Sequence, residues 1–232
     1  MAIQGTTIGT DSLETNAVTN PKVADDAIAI AELSATGTPS SSTFLRGDNA
    51  WAAAGGGSLE FLVENSVAGG VLLSTAFSST YITSTYERYL ITFQDLDFNN
   101  DNVTFFAQVS SDNGASYKTS SYRTAGFFTE YNGSAANTST LSTADYIMWA
   151  TEVANEATHT LNGHMWLINP SNSATYPQAY SEIGHYAQDD YSRRLIEHGV
   201  YAGALAVNNI KFGISGGVWN SGKFVLYGVK NS

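Results

Sequence analysis

The chain has 232 residues, no cysteine and a formal net charge of −11, set by 21 acidic against 10 basic residues. That length suffices for one all-β domain with a real core plus a tail. The lack of thiols excludes a disulfide framework and thiolate chemistry, and the scarcity of cations argues against wrapping nucleic-acid phosphates or settling on bare anionic lipid. Charged residues make up 13% of the chain and aromatics 12%. With Gly, Ser, Thr and Asn abundant, that balance describes strands, turns and hydroxyl-rich surfaces.

In chain order, the opening MAIQGTTIGTDSLETN has neither a basic n-region nor an apolar h-region, and no run approaches the ~18 apolar residues of a membrane span. The expectation is a chain that is neither exported by a signal peptide nor inserted in a membrane. Residues 11–35 hold a weak ten-residue repeat: Leu13, Val23 and Leu33 fall ten apart, as do Val18 and Ile28. A unit this small cannot bury its own apolar positions, so it needs successive repeats or identical chains beside it. A disordered or partly helical leader is the alternative. Leu13, Val18, Val23, Ile28 and Leu33 are therefore the candidate attachment and oligomerisation positions.

Gly37 to Trp51 reads GTPSSSTFLRGDNAW, a polar, turn-rich insert, and Ala52 to Ser58 has the Gly/Ala/Ser composition of a joint. The expected division is an N-terminal segment over 1–36, a linker over 37–58 and a head over 59–232. Within the head, Arg88–Leu96 and Val103–Val109 are β-branched and aromatic around Asp97–Asn102, which reads as a hairpin. Further strands are expected at Phe127–Tyr131, Tyr146–Ala150, His159–Ile168, Ala179–Tyr186, Leu195–Tyr201, Asn209–Ile214 and Lys223–Val229. The fold class is all-β: an antiparallel two-sheet sandwich of jelly-roll type behind an extended or partly helical stem.

Several motifs reduce to turn chemistry. Gly213-Ile214-Ser215-Gly216-Gly217 has the letters of a hydrolase nucleophile elbow, but no helix follows it, so no catalytic role is assigned. Ser110 to Tyr117 resembles the Asp-box of sialidases, a structural turn in which Asp caps the chain and the aromatic anchors it. Asp95 to Asp101 places oxygens as the first half of a calcium loop does, with Asn100 where an EF-hand loop needs Gly and Phe106 where it needs Glu. His159, His164, His185 and His198 lack zinc-ligand spacing. No metal or cofactor is expected, and the reading is of a protein that is not an enzyme.

Aromatics are the remaining clue to action. Sugar rings present apolar C–H faces that stack on Trp and Tyr, while their hydroxyls pair with Asn, Asp and Gln. The candidate receptor-binding residues are Tyr131, Tyr176, Tyr180, Tyr186, Tyr191 and Trp219, taken as loop or strand-end positions. Trp149 and Trp166 lie inside strands and read as core or inter-chain packing.

Two segments resemble bacteriophage tail-fibre proteins. The Gly37–Trp51 run, with its Gly-Thr-Pro, serine run, Phe-Leu-Arg-Gly-Asp and Trp, is similar to a linker between an attachment segment and a distal head. Asn209 to Lys230, with its Ser-Gly, aromatic strand and Leu-Tyr-Gly, is similar to the closing hairpin of phage structural heads. The resemblance implies a homotrimer assembled in the host cytoplasm and located in the virion as a tail fibre. Its N-terminus would engage tail or adaptor proteins, and its head would adhere to a host surface glycan such as lipopolysaccharide. The alternative is a decoration or adaptor protein making only protein–protein contacts.

Overall fold

A computed structural model describes residues 23–24, 27–53, 58–67, 69, 74–130 and 137–230, with the backbone alone over 137–144. The chain divides into two compact units, Met1–Gly56 and Gly57–Ser232.

In the first unit, a single 3-10 turn at Ile30–Leu33 precedes a small hairpin of β1 (Thr43–Leu45) and β2 (Trp51–Ala53). The strands are antiparallel, with Leu45 opposite Trp51. Arg46 pairs with Asp48, whose Oδ1 accepts the Ala50 N–H at 3.3 Å, and Asn49 takes a left-handed φ of 60°. Gly37, at φ 87°, approaches so closely that a Cβ there would lie 2.7 Å from the Trp51 carbonyl oxygen. Only glycine tolerates both conditions. The Arg-Gly-Asp letters thus close a turn, and the polar linker is a folded hairpin. The joint expected from Ala52 starts later, because Ala52 and Ala53 are strand residues. Leu13 and Val18 lie outside the described residues; Val23 and Ile28 are exposed, and Leu33 is half-buried.

The second unit comprises β3 (Leu59–Ser66), β4 (Ser74–Phe77), β5 (Arg88–Phe98), β6 (Val103–Ser110), β7 (Tyr122–Glu130), β8 (Asn137–Ala144), β9 (Ile147–Val153), β10 (Leu161–Ile168), β11 (Gln178–Tyr186), β12 (Ser192–Tyr201), β13 (Asn209–Ile214) and β14 (Trp219–Val229). It is all-β, and every strand pairing is antiparallel. One sheet has eight strands in the order β3-β14-β5-β10-β11-β12-β7-β8; the other has four, β4-β13-β6-β9. Eight of the strands pair in nested fashion: β3 with β14, β4 with β13, β5 with β10, and β6 with β9. Each nested pair alternates between the two sheets, as one long double hairpin would when rolled on itself. The remaining strands, β7–β8 and β11–β12, extend the larger sheet past β10.

The two sheets share one core. Phe93 of β5 meets Phe105, Phe212 and Phe224 at ring-centroid distances of 5.3, 5.4 and 5.6 Å. All four rings are buried, and with Phe77, Phe98, Trp149 and Trp219 they form part of the head's continuous apolar core.

The expected β5–β6 hairpin is corrected. The strands lie in opposite sheets, and the segment between them is a corner that carries the chain across. Inward-facing Phe93 and Phe105 pack edge to face across the core instead of pairing side by side. Asp95 and Asn102 take φ of 51° and 56° around the corner, and Asn99 Oδ1 accepts the Val218 N–H at 2.7 Å. Of the oxygens that resemble half a calcium loop, Asn99 Oδ1 is thus used in turning the chain.

Candidate functional site

Strand alternation in the eight-stranded sheet sends one set of side chains into the core and the other outward. Bulges interrupt the pairing within β14 and at the start of β10, and between them the outward residues align in rows across the strands from β3 to β7. One row reads Phe61, Tyr227, Leu90, Trp166, Tyr180, His198 and Ala125. The row beside it reads Arg88, Ile168, Gln178, Val200 and Arg123, and on the other side lie Thr92, His164, Glu182, Ile196 and Phe127. Phe61 meets Tyr227 edge to face at 6.1 Å, and Tyr180 stacks on His198 at 4.5 Å. Gln178 Oε1 accepts from Tyr180 Oη at 3.2 Å and lies 3.3 Å from His198 Nε2. A shallow trough of about 460 Å3, lined by Leu90, Thr92, Gln94, Gly163, His164 and Trp166 among others, opens on this face.

Of the aromatics singled out from the sequence, Tyr176, Tyr180, Tyr186 and Tyr191 are 50, 47, 42 and 38% exposed. Tyr180 belongs to the aromatic row, and Tyr186 lies on the same outward parity at the far end of β11. Tyr176 sits in the loop before β11 and Tyr191 in the β11–β12 connection. Tyr131 lies outside the described residues. Trp219 is corrected: it is 1% exposed, packed on Phe98 at 5.2 Å and Phe224 at 5.5 Å, and available to no ligand. Its strand starts four residues earlier than Lys223, which turns the supposed loop residue inward. Trp149 is core; Trp166 is half-buried in the outward row.

A second cluster lies on the inner side, where β7, β11 and β12 pass the end of β9. Arg193, only 8% exposed, donates from Nε to Glu130 at 2.8 Å and from a terminal nitrogen to Asp189 at 2.9 Å, and it also pairs with Glu152. These groups, with Phe128, Thr151, His185 and Leu195, border a cavity of about 280 Å3. His185 Nδ1 stands 2.9 Å from the Tyr186 carbonyl. A carbonyl only accepts, so Nδ1 carries the proton, and the buried Nε2 has no partner among the described residues. Burial holds His185 neutral by pushing its pKa down to about 4. Across the adjoining turn, His159 lies 3.1 Å from Glu156 and 3.9 Å from Asp190 and stacks on Tyr186. This set of one imidazole and two carboxylates has the donor types that divalent cations take. Asp190 comes from a distant loop, so sequence spacing could not reveal it.

Deeper along β12, Glu197 is 4% exposed, and its Oε2 has no partner among the described residues. Opposite it stands Gly126, where a Cβ would lie 2.1 Å from that oxygen. Glycine is what leaves room for the carboxyl. Burial pushes Glu197 up to about 7. An acid raised in the folded state stabilises the fold at low pH and loses that contribution as pH climbs from the unfolded value through about 7. The depressed His185 works in reverse, losing its contribution as pH falls from about 6.5 towards 4. The two slopes oppose each other between about pH 4.5 and 6.5. Glu197→Gln is therefore expected to make stability climb with pH across that interval, by up to about 1.4 kcal/mol per pH unit relative to the parent. Urea titrations at a series of pH values check this; parallel profiles would show that Glu197 is not held protonated.

The Asp-box-like segment is a self-contained turn. Asp112 accepts from Ser110 Oγ at 2.6 Å and from the Ser116 N–H at 2.9 Å, while Tyr117 Oη donates to Asn209 at 3.0 Å. Those hydroxyl and amide donors hold the Asp112 carboxyl well below its usual range. Ser215 exchanges hydrogen bonds with the Thr104 backbone at 2.9 and 3.0 Å and tethers the β13–β14 turn. Compared with known protein families, curated proteins and solved structures, the chain matches none.

Proposed function

We propose that the chain is a bacteriophage tail-fibre protein whose N-terminal segment anchors to the virion and whose trimeric β-head adheres to a host surface glycan. The observation that carries this reading is the outward face of the eight-stranded sheet, a level array of Tyr, Trp and Phe mixed with Gln, His, Thr and Glu. Such an array stacks on sugar rings and pairs with their hydroxyls. The fibre-like letters of Gly37–Trp51 and Asn209–Lys230 support it. So does the nested strand order, which is what a jelly roll requires. Val23, Ile28 and Ile30 are 36, 60 and 53% exposed in the first unit, apolar surface that lateral association of three chains would cover. Three copies of a weak site then gain avidity through effective concentration.

The virion decoration or adaptor reading draws on the same face, where Phe61 and Phe127 are 60 and 43% exposed. Such a face could also pack against protein. Binding of the full chain to an array of bacterial surface glycans separates the two. Adhesion predicts retention that falls at least about fivefold in Tyr180→Ala, the loss of one ring contact. Retention of no glycan by the parent protein would favour decoration.

A further inference from the structure

The outward face has a charge pattern opposite to the rest of the molecule. Its rows from Arg88 to Thr92 contain two acidic residues on the paired strands, Glu182 and Glu64, and each is neutralised. Glu182 pairs with Arg194 at 2.7 Å, and Glu64 with Lys223 at 3.5 Å. Arg88 and Arg123 have no ion-pair partner among the described residues and are exposed. Two unneutralised cations thus share one row of a chain whose net charge is −11. Between Arg88 and Arg123 lie Ile168, Gln178 and Val200. Four strand spacings separate the arginines, about 19 Å. Directly beside that row run Leu90, Trp166, Tyr180 and His198.

We propose that this face binds a carboxylated polysaccharide laid across the strands, with Arg88 and Arg123 gripping its carboxylates and Trp166 and Tyr180 lying under its rings. This rests on the adhesion reading and narrows its ligand. Three features converge. The strand pitch is close to the length of one pyranose in an extended chain, so successive strands meet successive sugars, about four of them between the arginines. Guanidinium groups bind carboxylates bidentately, which fixes register along the chain. The strongly acidic remainder of the protein repels a polyanion, so this face is where such a chain is tolerated. His198, whose pKa burial lowers, serves as a ring and hydrogen-bonding group beside Tyr180. Gln178 and His164, both partly exposed, offer partners for the sugar hydroxyls.

The test uses the full chain and galacturonate oligomers, with their methyl esters as uncharged counterparts on the same backbone. Binding followed calorimetrically at low salt is expected for the hexamer acid, about a hundredfold weaker for the hexamer ester, which loses both arginine contacts, and much weaker for a dimer too short to reach both arginines. Arg88→Gln and Arg123→Gln should each cost about tenfold towards the acid and leave ester binding unchanged. Tyr180→Ala should weaken acid and ester alike, by about fivefold. Equal binding of acid and ester, or arginine variants that match the parent, would overturn the proposal while leaving glycan adhesion standing. If neither oligomer binds, the proposal fails; tryptophan emission that becomes shielded from acrylamide as protein concentration rises, and no longer does so in Trp166→Phe, would then identify the face as an interface between copies. A neutral glycan retained on the array but indifferent to Tyr180→Ala would overturn it too, since adhesion would then reside elsewhere.

Discussion

Phe93→Ala should destabilise the head by about 3–5 kcal/mol, the range for truncating a fully buried phenylalanine in a packed core. Phe93 is 1% exposed and stands where the two sheets meet. Its ring contacts Phe105 and Phe212 from the four-stranded sheet and Phe224 from its own. Removing it loses the transfer energy and three edge-to-face contacts, and leaves a void that neighbours on two separate sheets cannot jointly collapse into. Urea unfolding monitored by circular dichroism reads the loss. A cost below about 1.5 kcal/mol, typical of a volume-conserving swap, would mean that the sheets do not pack through this residue.

Arg193→Ala is expected to cost about 3 kcal/mol, for a different reason. The guanidinium reaches three carboxylates from three places: Glu130 on β7, Glu152 on β9 and Asp189 in the β11–β12 turn. A buried ion pair contributes little net energy when whole, yet breaking it strands unpaired charge in a poorly hydrated site. Glu152 and Asp189 are 47 and 42% exposed, so water relieves part of the penalty, and the cost falls at the lower end of the ~3–5 kcal/mol that breaking a buried pair costs. Arg193→Lys should recover only part of the loss, because an ammonium cannot reproduce a three-way planar fork. Full rescue by lysine, or a loss in alanine under about 1 kcal/mol, would identify an ordinary screened surface bridge.

Much of the head was legible because its strands are long, aromatic and separated by Gly, Asn and Asp. Asn209–Ile214 was read at its observed limits, and Ala179–Tyr186 differs from β11 by one residue. What escaped was pairing. Arg88–Leu96 and Val103–Val109 have the grammar of a hairpin, and nothing local states that Phe93 and Phe105 must face each other across a core. Short or polar strands were missed for a related reason. Ser74–Phe77 and Asn137–Ala144 carry too few apolar letters to show alternation, and Thr43–Leu45 and Trp51–Ala53 are only three residues each.

The candidate site was legible in part. Exposed Tyr176, Tyr180, Tyr186 and Tyr191 follow from polar surroundings, but Trp219 shows that an aromatic next to Asn-Ser-Gly need not be on the surface. The outward rows could not be read at all, since a row joins residues more than a hundred positions apart through register. Arg193 and Glu197 were passed over because SRRLIEHGVY does not alternate cleanly. Both charged residues share the inward parity of Leu195 and Gly199, and their partners Glu130 and Gly126 lie on a strand about 70 residues away.

Association of identical chains is the premise on which avidity, stem and head all depend. Light scattering on the full chain across a range of concentrations measures it most directly. The fibre account predicts a mass three times the 24.7 kDa of one chain, unchanged on dilution. A mass of 24.7 kDa throughout would contradict it and leave a monomeric decoration or adaptor protein.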